Sequence, residues 1–490
     1  MAKKQEQLTY MQLPLPQGQK QYKLTKVNWS GLNKRQTLDT GVLSMASNIS
    51  TDEAPYLTPS QKRVVYKEGY TNPISLFGFD DFLFVVYRDD GKIKIDYIKN
   101  DSGKSTYTAE LKESGATSAD EKIQRSIVKF NLYDDVGDPI SGSFEERYIV
   151  FPDKKAVYLD DSELKADDLE ANGDNPIPDI KYATVHLSRL FGVDDDRVYA
   201  SAFNDYANWD FDYAEYNESD AWVSPAQANT KANTAFTGIT TFMNHVVCFK
   251  HNFMHEIYNN KNPFRIHDIF PEGAIDGRTV QEVNGRLIFV AMDGVKIYTG
   301  ANPRNIGYNL NINRFSNAVS GADKRKYYLY TKVGFEHKLF VYDTFIDQWS
   351  EESIDFGVLG FAYNKNGMFL FGENGKVYRL DSGNYFHSWS FETDLFTGKT
   401  IDIKHIKKIQ LFAEFLTTGS LEVYIVYDDE KFSYSGSHKV YSGRGLGLKA
   451  IRIVPRQTAN YGFKLHFEGY GKIKLYGLEI FVTQGGELYV

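Results

Sequence analysis

The chain is predicted to be all-β: a β-propeller with an extended N-terminal arm and a C-terminal β-sandwich. Three observations lead there. Short apolar or aromatic runs recur, each followed by an Asp-Gly or Asn-Gly type turn and a second run, the signature of a hairpin. In the second half the inner turns of four such units fall near residues 251, 293, 335 and 374, a repeat of about 40 residues, as expected of propeller blades. Aromatic residues make up 15% of the 490 residues, with 34 Tyr and 34 Phe, and these types favour strands and populate interfaces.

Residues 1–60 show little alternation and carry Pro14, Pro16, Gly18, Gly31, Gly41, Pro55 and Pro59. They read as an extended arm that docks elsewhere to offset its ordering entropy. Trp29, Leu32, Leu43 and Tyr56 are its expected assembly contacts. A propeller closes its own sheets, so the dock is expected on a neighbouring subunit or the outer propeller wall. Deleting residues 1–50 is then expected to leave a folded protein that assembles poorly.

Residues 61–390 carry the repeating hairpins and are expected to form the propeller with loop insertions, closed by segments distant in sequence. The first unit runs from Leu76 to Tyr87, turns at Asp89-Asp90-Gly91 and returns through Lys92–Tyr97. Clearer units hold Val246–Phe249, Leu287–Val290, Lys338–Tyr342 and Met368–Phe371. Residues 100–125 and 160–180 are polar and read as loop insertions, with Asp160–Glu170 a candidate short helix. From 391 to 490 the pattern changes to longer runs, such as Leu421–Asp428 and Lys472–Val482, which read as a β-sandwich.

Bulk properties narrow the function. No apolar run approaches the roughly 18 residues that a membrane helix needs, so no membrane segment is expected. The opening residues lack an apolar h-region, so no secretory signal is expected there. The net charge of -8 argues against a tight grip on nucleic acid, which calls for a basic surface. The single Cys248 lies in an apolar run and reads as a small core residue.

Candidate chemistry is thin. His251 and His255 have a helical metal spacing but flank a hairpin turn and have no third ligand at a metalloenzyme spacing. Asp194, Asp195 and Asp196, with Asp210, Asp212, Glu215 and Glu218, are acidic patches without the alternation of a calcium loop. Gly443–Gly447 is glycine-rich but precedes a strand rather than a helix, and reads as a flexible loop. Lys404, Lys407 and Lys408 read as solvent-facing charges. The repeated Asp-box of sialidase-like propellers is absent, and Asp343 and Trp349 read as a strand end and a packing tryptophan. No catalytic residue, metal or cofactor is expected, and the chain reads as a non-enzyme.

Four segments resemble a phage structural family, the tail or packaged-DNA stabilization proteins that include tail hub and nozzle proteins of short-tailed phages. They are Asn28–Arg35, Ser188–Gly192 with Arg197–Trp209, Val283–Gly300 and Val341–Trp349. The resemblance spans most of residues 25–380 and rests on scaffold motifs. It implies a homo-oligomeric ring of propeller subunits in the virion tail, made in the host cytoplasm and set below the portal and its adaptor. Distal tail proteins would lie beyond, and DNA would be retained and then pass through the channel without sequence-specific binding. An acidic or neutral lumen is expected, with Lys404, Lys407 and Lys408 facing away from it. The alternatives are a carbohydrate-binding or carbohydrate-active propeller on a virion or cell surface, and a propeller scaffold with no viral role.

Overall fold

In the computed structural model the described residues are 11–13, 21–26, 31–35, 42–99, 105–112, 124–133, 144–212, 217–225, 234–269, 272–383, 386–397, 404–428, 437–455, 459–460 and 462–484. Among them there is no α-helix, and the strands fall into seven four-stranded antiparallel sheets, one nine-stranded sheet and a two-stranded ribbon.

The seven sheets are successive blades. Blade I comprises Pro73–Phe79, Phe82–Asp89, Lys92–Lys99 and Thr106–Lys112. Blade II comprises Ser126–Tyr133, Phe144–Phe151, Lys155–Asp160 and Glu163–Asp168. Blade III runs from Tyr182 to Val223, blade IV from Gly238 to Ile269, blade V from Gln281 to Asn305 and blade VI from Ser316 to Glu352. Blade VII takes Val358–Asn364, Gly367–Gly372 and Lys376–Arg379 from the far end of the propeller, and Val64–Glu68 as its fourth strand. Lys376 pairs with Glu68 and Arg379 with Val64, so segments distant in sequence latch the ring.

Side-chain alternation explains why the sequence demands a ring. In Arg286–Ala291, Ile288 and Val290 pack toward blade VI, whereas Leu287, Phe289 and Ala291 pack toward blade IV. A strand buried on both faces must be apolar at successive positions, and only a neighbour on each side can cover it. Six of the seven seams between consecutive blades have their own buried cluster, and the seam of blades V and VI is continuous with the core of the sandwich. The seam that closes the circle sets Leu76, Leu83 and Val85 of blade I against Phe369, Phe371 and Val377 of blade VII. Cys248 lies wholly buried in the seam between blades III and IV, and burial pushes its thiol pKa up.

The C-terminal sandwich is built on Lys404–Asp428, a strand of 25 residues. One edge pairs with Ser437–Ile453. The other pairs first with Ile473–Gln484 and then, past Thr417–Gly419, with Gly462–Tyr470. The changeover lies beside Gly447 and Gly471, both at positive φ; a Cβ on Gly471 would stand 2.9 Å from Gly419 Cα. Trp389–Thr393 and Leu43–Ser47 extend one half, and Gln21–Lys26 and Met11–Leu13 the other. Inward residues of both halves, among them Leu411, Phe415, Val423, Phe467 and Ile480, share one core.

Three expectations are corrected. Asp160–Glu170 is no helix: its centre is the outer strand of blade II. The polar stretches read as insertions include the fourth strands of blades I and II. Outer strands are half exposed and so lack an apolar signature. Gly443–Gly447 lies within a strand, because the long strand beside it supplies the pairing that glycine alone would not favour.

Candidate functional site

The residues expected to make assembly contacts mark a joint between propeller and sandwich. Trp29 lies outside the described residues. Leu32 and Leu43 are 2% and 1% exposed, enclosed in a core that runs from the seam of blades V and VI through Ala46, Ile49 and Leu57 into the sandwich. They anchor the segment within its own chain and offer no surface to a neighbour. Tyr56 is half-buried, its ring 4.9 Å from Tyr476, with Lys474 above it at 4.7 Å.

The joint is built residue by residue. Gly31 has φ +81, and a Cβ there would stand 2.9 Å from the Gln348 side chain, so both backbone and space require glycine. Leu32 N–H donates to the Trp349 carbonyl at 3.0 Å. The Trp349 indole packs 4.9 Å from Tyr342 and donates to the Ile306 carbonyl at 2.8 Å. Arg35 donates to the Tyr308 carbonyl and lays its guanidinium 3.2 Å from that ring's centroid. Asn48, at φ +58, donates to the Glu351 and Ser388 carbonyls and accepts from Ser353, tying blade VI to the sandwich.

Beside this joint sits a network of charges. Asp343 is fully buried and held by Arg325 at 2.5 Å, with Thr51 donating to its carboxylate at 2.8 Å. Lys326 pairs with Asp52 at 2.7 Å. Burial alone would lower the Lys326 pKa, but Asp52 and Asp381 raise it above the usual lysine value. Burial followed by the charge of Asp381 pushes Glu352 up to about 7, and burial likewise raises Asp381.

Two further clusters were not predicted from the sequence. In blade III the buried Arg189 donates to the carbonyls of Ser201, Asp220 and Glu218 at 2.6–2.8 Å, and burial brings its pKa down to about 10. In blade IV the buried Glu256 accepts from Tyr298, from Tyr258 at 3.0 Å and from His267 at 2.9 Å, with His245 at 3.5 Å. Tyr298, Tyr258 and His267 hydrogen-bond to the carboxylate; among the described residues no three potential ligands gather as a metal would require. The available signal was a glutamate inside a strand buried on both faces, which needs partners.

The residues weighed for chemistry disperse. His251 is exposed in its turn, whereas His255 is buried and 2.7 Å from Asp268. Asp194 caps its own turn through the amides of Asp196 and Arg197, and Asp210 holds the amides of Asp174 and Asn175. Glu215 lies outside the described residues. Lys404 is buried, contrary to its expected solvent-facing position; Lys407 is exposed, and Lys408 lies 4.0 Å over the Phe481 ring.

Two hollows stand out. At the propeller axis a cavity of about 380 Å³ is lined by inner-strand residues including Leu76, Ser320 and Phe361, with Arg125 and Arg278 at its wall. Both arginines are paired, with Asp153 and Asp276. On blades III and IV a hollow of about 340 Å³ is lined by Phe211, Trp222, Pro225, Pro263 and Phe264, with Asn262 and Asp212. No helix among the described residues is long and apolar enough to cross a membrane.

Among the described residues, the ring of latched blades and the fused sheet make a closed seven-bladed β-propeller joined to a β-sandwich. No protein-family model matches it, and no curated protein matches it. Among solved structures it is similar to the β-propeller domain of Nup133 from Vanderwaltozyma polyspora, at 8% identity over 68% of this chain and 99% of that one, with a TM-score of 0.24. It is also similar to a Bacillus thuringiensis Cry1Da tryptic core variant, at 10% identity over 61% of this chain and 50% of that one, with a TM-score of 0.15. At those scores the likeness adds no argument; the fold stands on the chain's own strand pairing.

Proposed function

We propose that the chain is a structural, non-enzymatic component of a bacteriophage tail, a hub or nozzle subunit below the portal and adaptor. In this reading it forms a ring that helps retain packaged DNA and borders the path of ejection. The observation that carries it is where the family-like segments fall. Two of them, far apart in the chain, meet at the joint through Leu32 and Trp349. Val283–Gly300 spans the central hairpin of blade V, and Ser188–Trp209 surrounds Arg189. The resembling segments therefore lie at packing and hydrogen-bonded contacts rather than around a cleft. The axial cavity of about 380 Å³ is of ligand size, whereas the major groove of DNA alone is about 12 Å wide. A duplex would pass through the lumen of an assembled ring, and the net charge of -8 per chain favours sliding over retention by the wall.

The test is to label purified virions with antibody against the chain and to delete its gene. Label on the tail, and heads that lose DNA in the deletion, are expected; unlabelled virions with full infectivity overturn the proposal. The hollow on blades III and IV favours a second reading, a carbohydrate site, because aromatic walls with a few polar groups suit a sugar ring. Saturable glycan binding that is lost in Trp222→Ala would support it.

A further inference from the structure

The strand Ser437–Ile453 is 17 residues long and, among the described residues, is paired along one edge only. It contains no proline and no acid, but carries Lys439, Arg444, Lys449 and Arg452. Leu446 and Leu448 are 67% and 68% exposed. Lys439 is paired with Glu422 at 2.6 Å, whereas the exposed Arg444 and Arg452 face no acid among the described residues. A long exposed edge with apolar side chains is a template for another strand. Among the described residues no strand pairs with its other edge.

A second free edge has the opposite sign. Glu163–Asp168, the outer strand of blade II, is hydrogen-bonded only to Lys155–Asp160 among the described residues. Residues 160–170 hold six acids and one lysine. Asp160, Asp167 and Asp168 have local partners in Lys165, Tyr158 and Lys155. Glu163 and Glu170 are exposed and form no ion pair among the described residues, although Glu163 adds to the negative charge around Lys165.

We propose that the edge Ser437–Ile453 docks, strand to strand, on the edge Glu163–Asp168 of a second copy of this chain. Two copies of the basic edge laid against each other would oppose like charges, which destabilises a ladder. The acidic edge offers the complement, with cation facing carboxylate across the new pair. Donor and acceptor are different surfaces of one chain, so the contact is heterologous. It propagates head to tail, closing as a ring if the rotation permits. The inference stands without the tail reading, since it concerns self-association of the isolated chain.

Sedimentation velocity of the full chain tests it. Self-association is expected at about 0.05 M salt and weakening at about 0.5 M, where charges are screened. The pair Arg444→Glu, Arg452→Glu and the pair Glu163→Lys, Glu170→Lys should each weaken association about tenfold or more, and the chain carrying all four should regain it. All four positions are exposed, and matching melting curves would verify the fold. Amide exchange across residues 437–453 should slow on association. A chain that stays monomeric at low salt, a fourfold variant no better than its parents, or an edge whose exchange is unchanged on association overturns the proposal.

Discussion

Glu352 is the residue whose charge the fold opposes most visibly. Its folded pKa of about 7 lies above the usual glutamate value of 4.5. Between those values the folded chain keeps a proton that the unfolded chain has released, so stability falls as pH rises through that window. The stabilising contribution is complete below about pH 4.5 and gone above about pH 7. Glu352→Gln should flatten this dependence and raise stability at about pH 8 by on the order of 1–2 kcal/mol, read from urea midpoints at about pH 5 and about pH 8. Trp349 acts through packing instead. Trp349→Ala should cost about 3–5 kcal/mol. Trp349→Phe, which forfeits mainly the bond to Ile306, should cost about 1 kcal/mol. In the alanine variant Gly31–Arg35 should become the first site of protease cleavage, because the Leu32 side chain shares a buried cluster with the Trp349 ring.

At the scale of elements, Val64–Glu68 holds the ring closed. Replacing both Val65 and Tyr66 with proline removes adjacent amides, one of which serves the ladder to Lys376–Arg379. A loss of about 2–4 kcal/mol is expected in thermal melts. What the sequence revealed of these elements follows burial. Middle strands such as Val246–Phe249 and Leu287–Val290 are covered on both faces and read as apolar runs. The outer strand Glu163–Asp168, with one buried leucine, reads as polar chain. The partner of Lys376–Arg379 was illegible for a different reason: Val64–Glu68 is an exposed, mixed segment whose role depends on a fold that brings distant residues together. Leu32 and Leu43 were recognisable as anchors, but their dock was not, since a lone leucine does not say which wall it meets. Glu352 and Lys326 sit among residues that converge only in three dimensions, and no spacing in the chain announces them.

For the whole molecule, the described part of residues 31–60 is structural mortar. Leu32, Leu43, Ala46 and Ile49 are part of the core that joins propeller to sandwich. Deleting residues 1–50 should therefore destabilise the chain itself, where the sequence alone suggested a folded protein that merely assembles poorly. A melt lowered by several degrees, or loss of soluble protein, is the expected result; an unchanged melt would show that the joint contributes little. Separating the chain at about residue 230 should leave neither half soluble, because each would expose seam faces that only the other covers.

The latch between Val64–Glu68 and Lys376–Arg379 also sets a timetable. Residues leave the ribosome in order, so the first partner must wait for roughly 300 more to be made, about 15–60 s at elongation rates of about 5–20 residues per second. Throughout that interval the growing row of blades is an open arc with a sticky face at its leading side and an unclaimed strand trailing behind. Two nascent chains on one messenger could exchange those strands, each closing the other's circle. Slow codons or a holding chaperone acting before residue 380 would then govern the yield of correctly closed rings more strongly than any change in final stability.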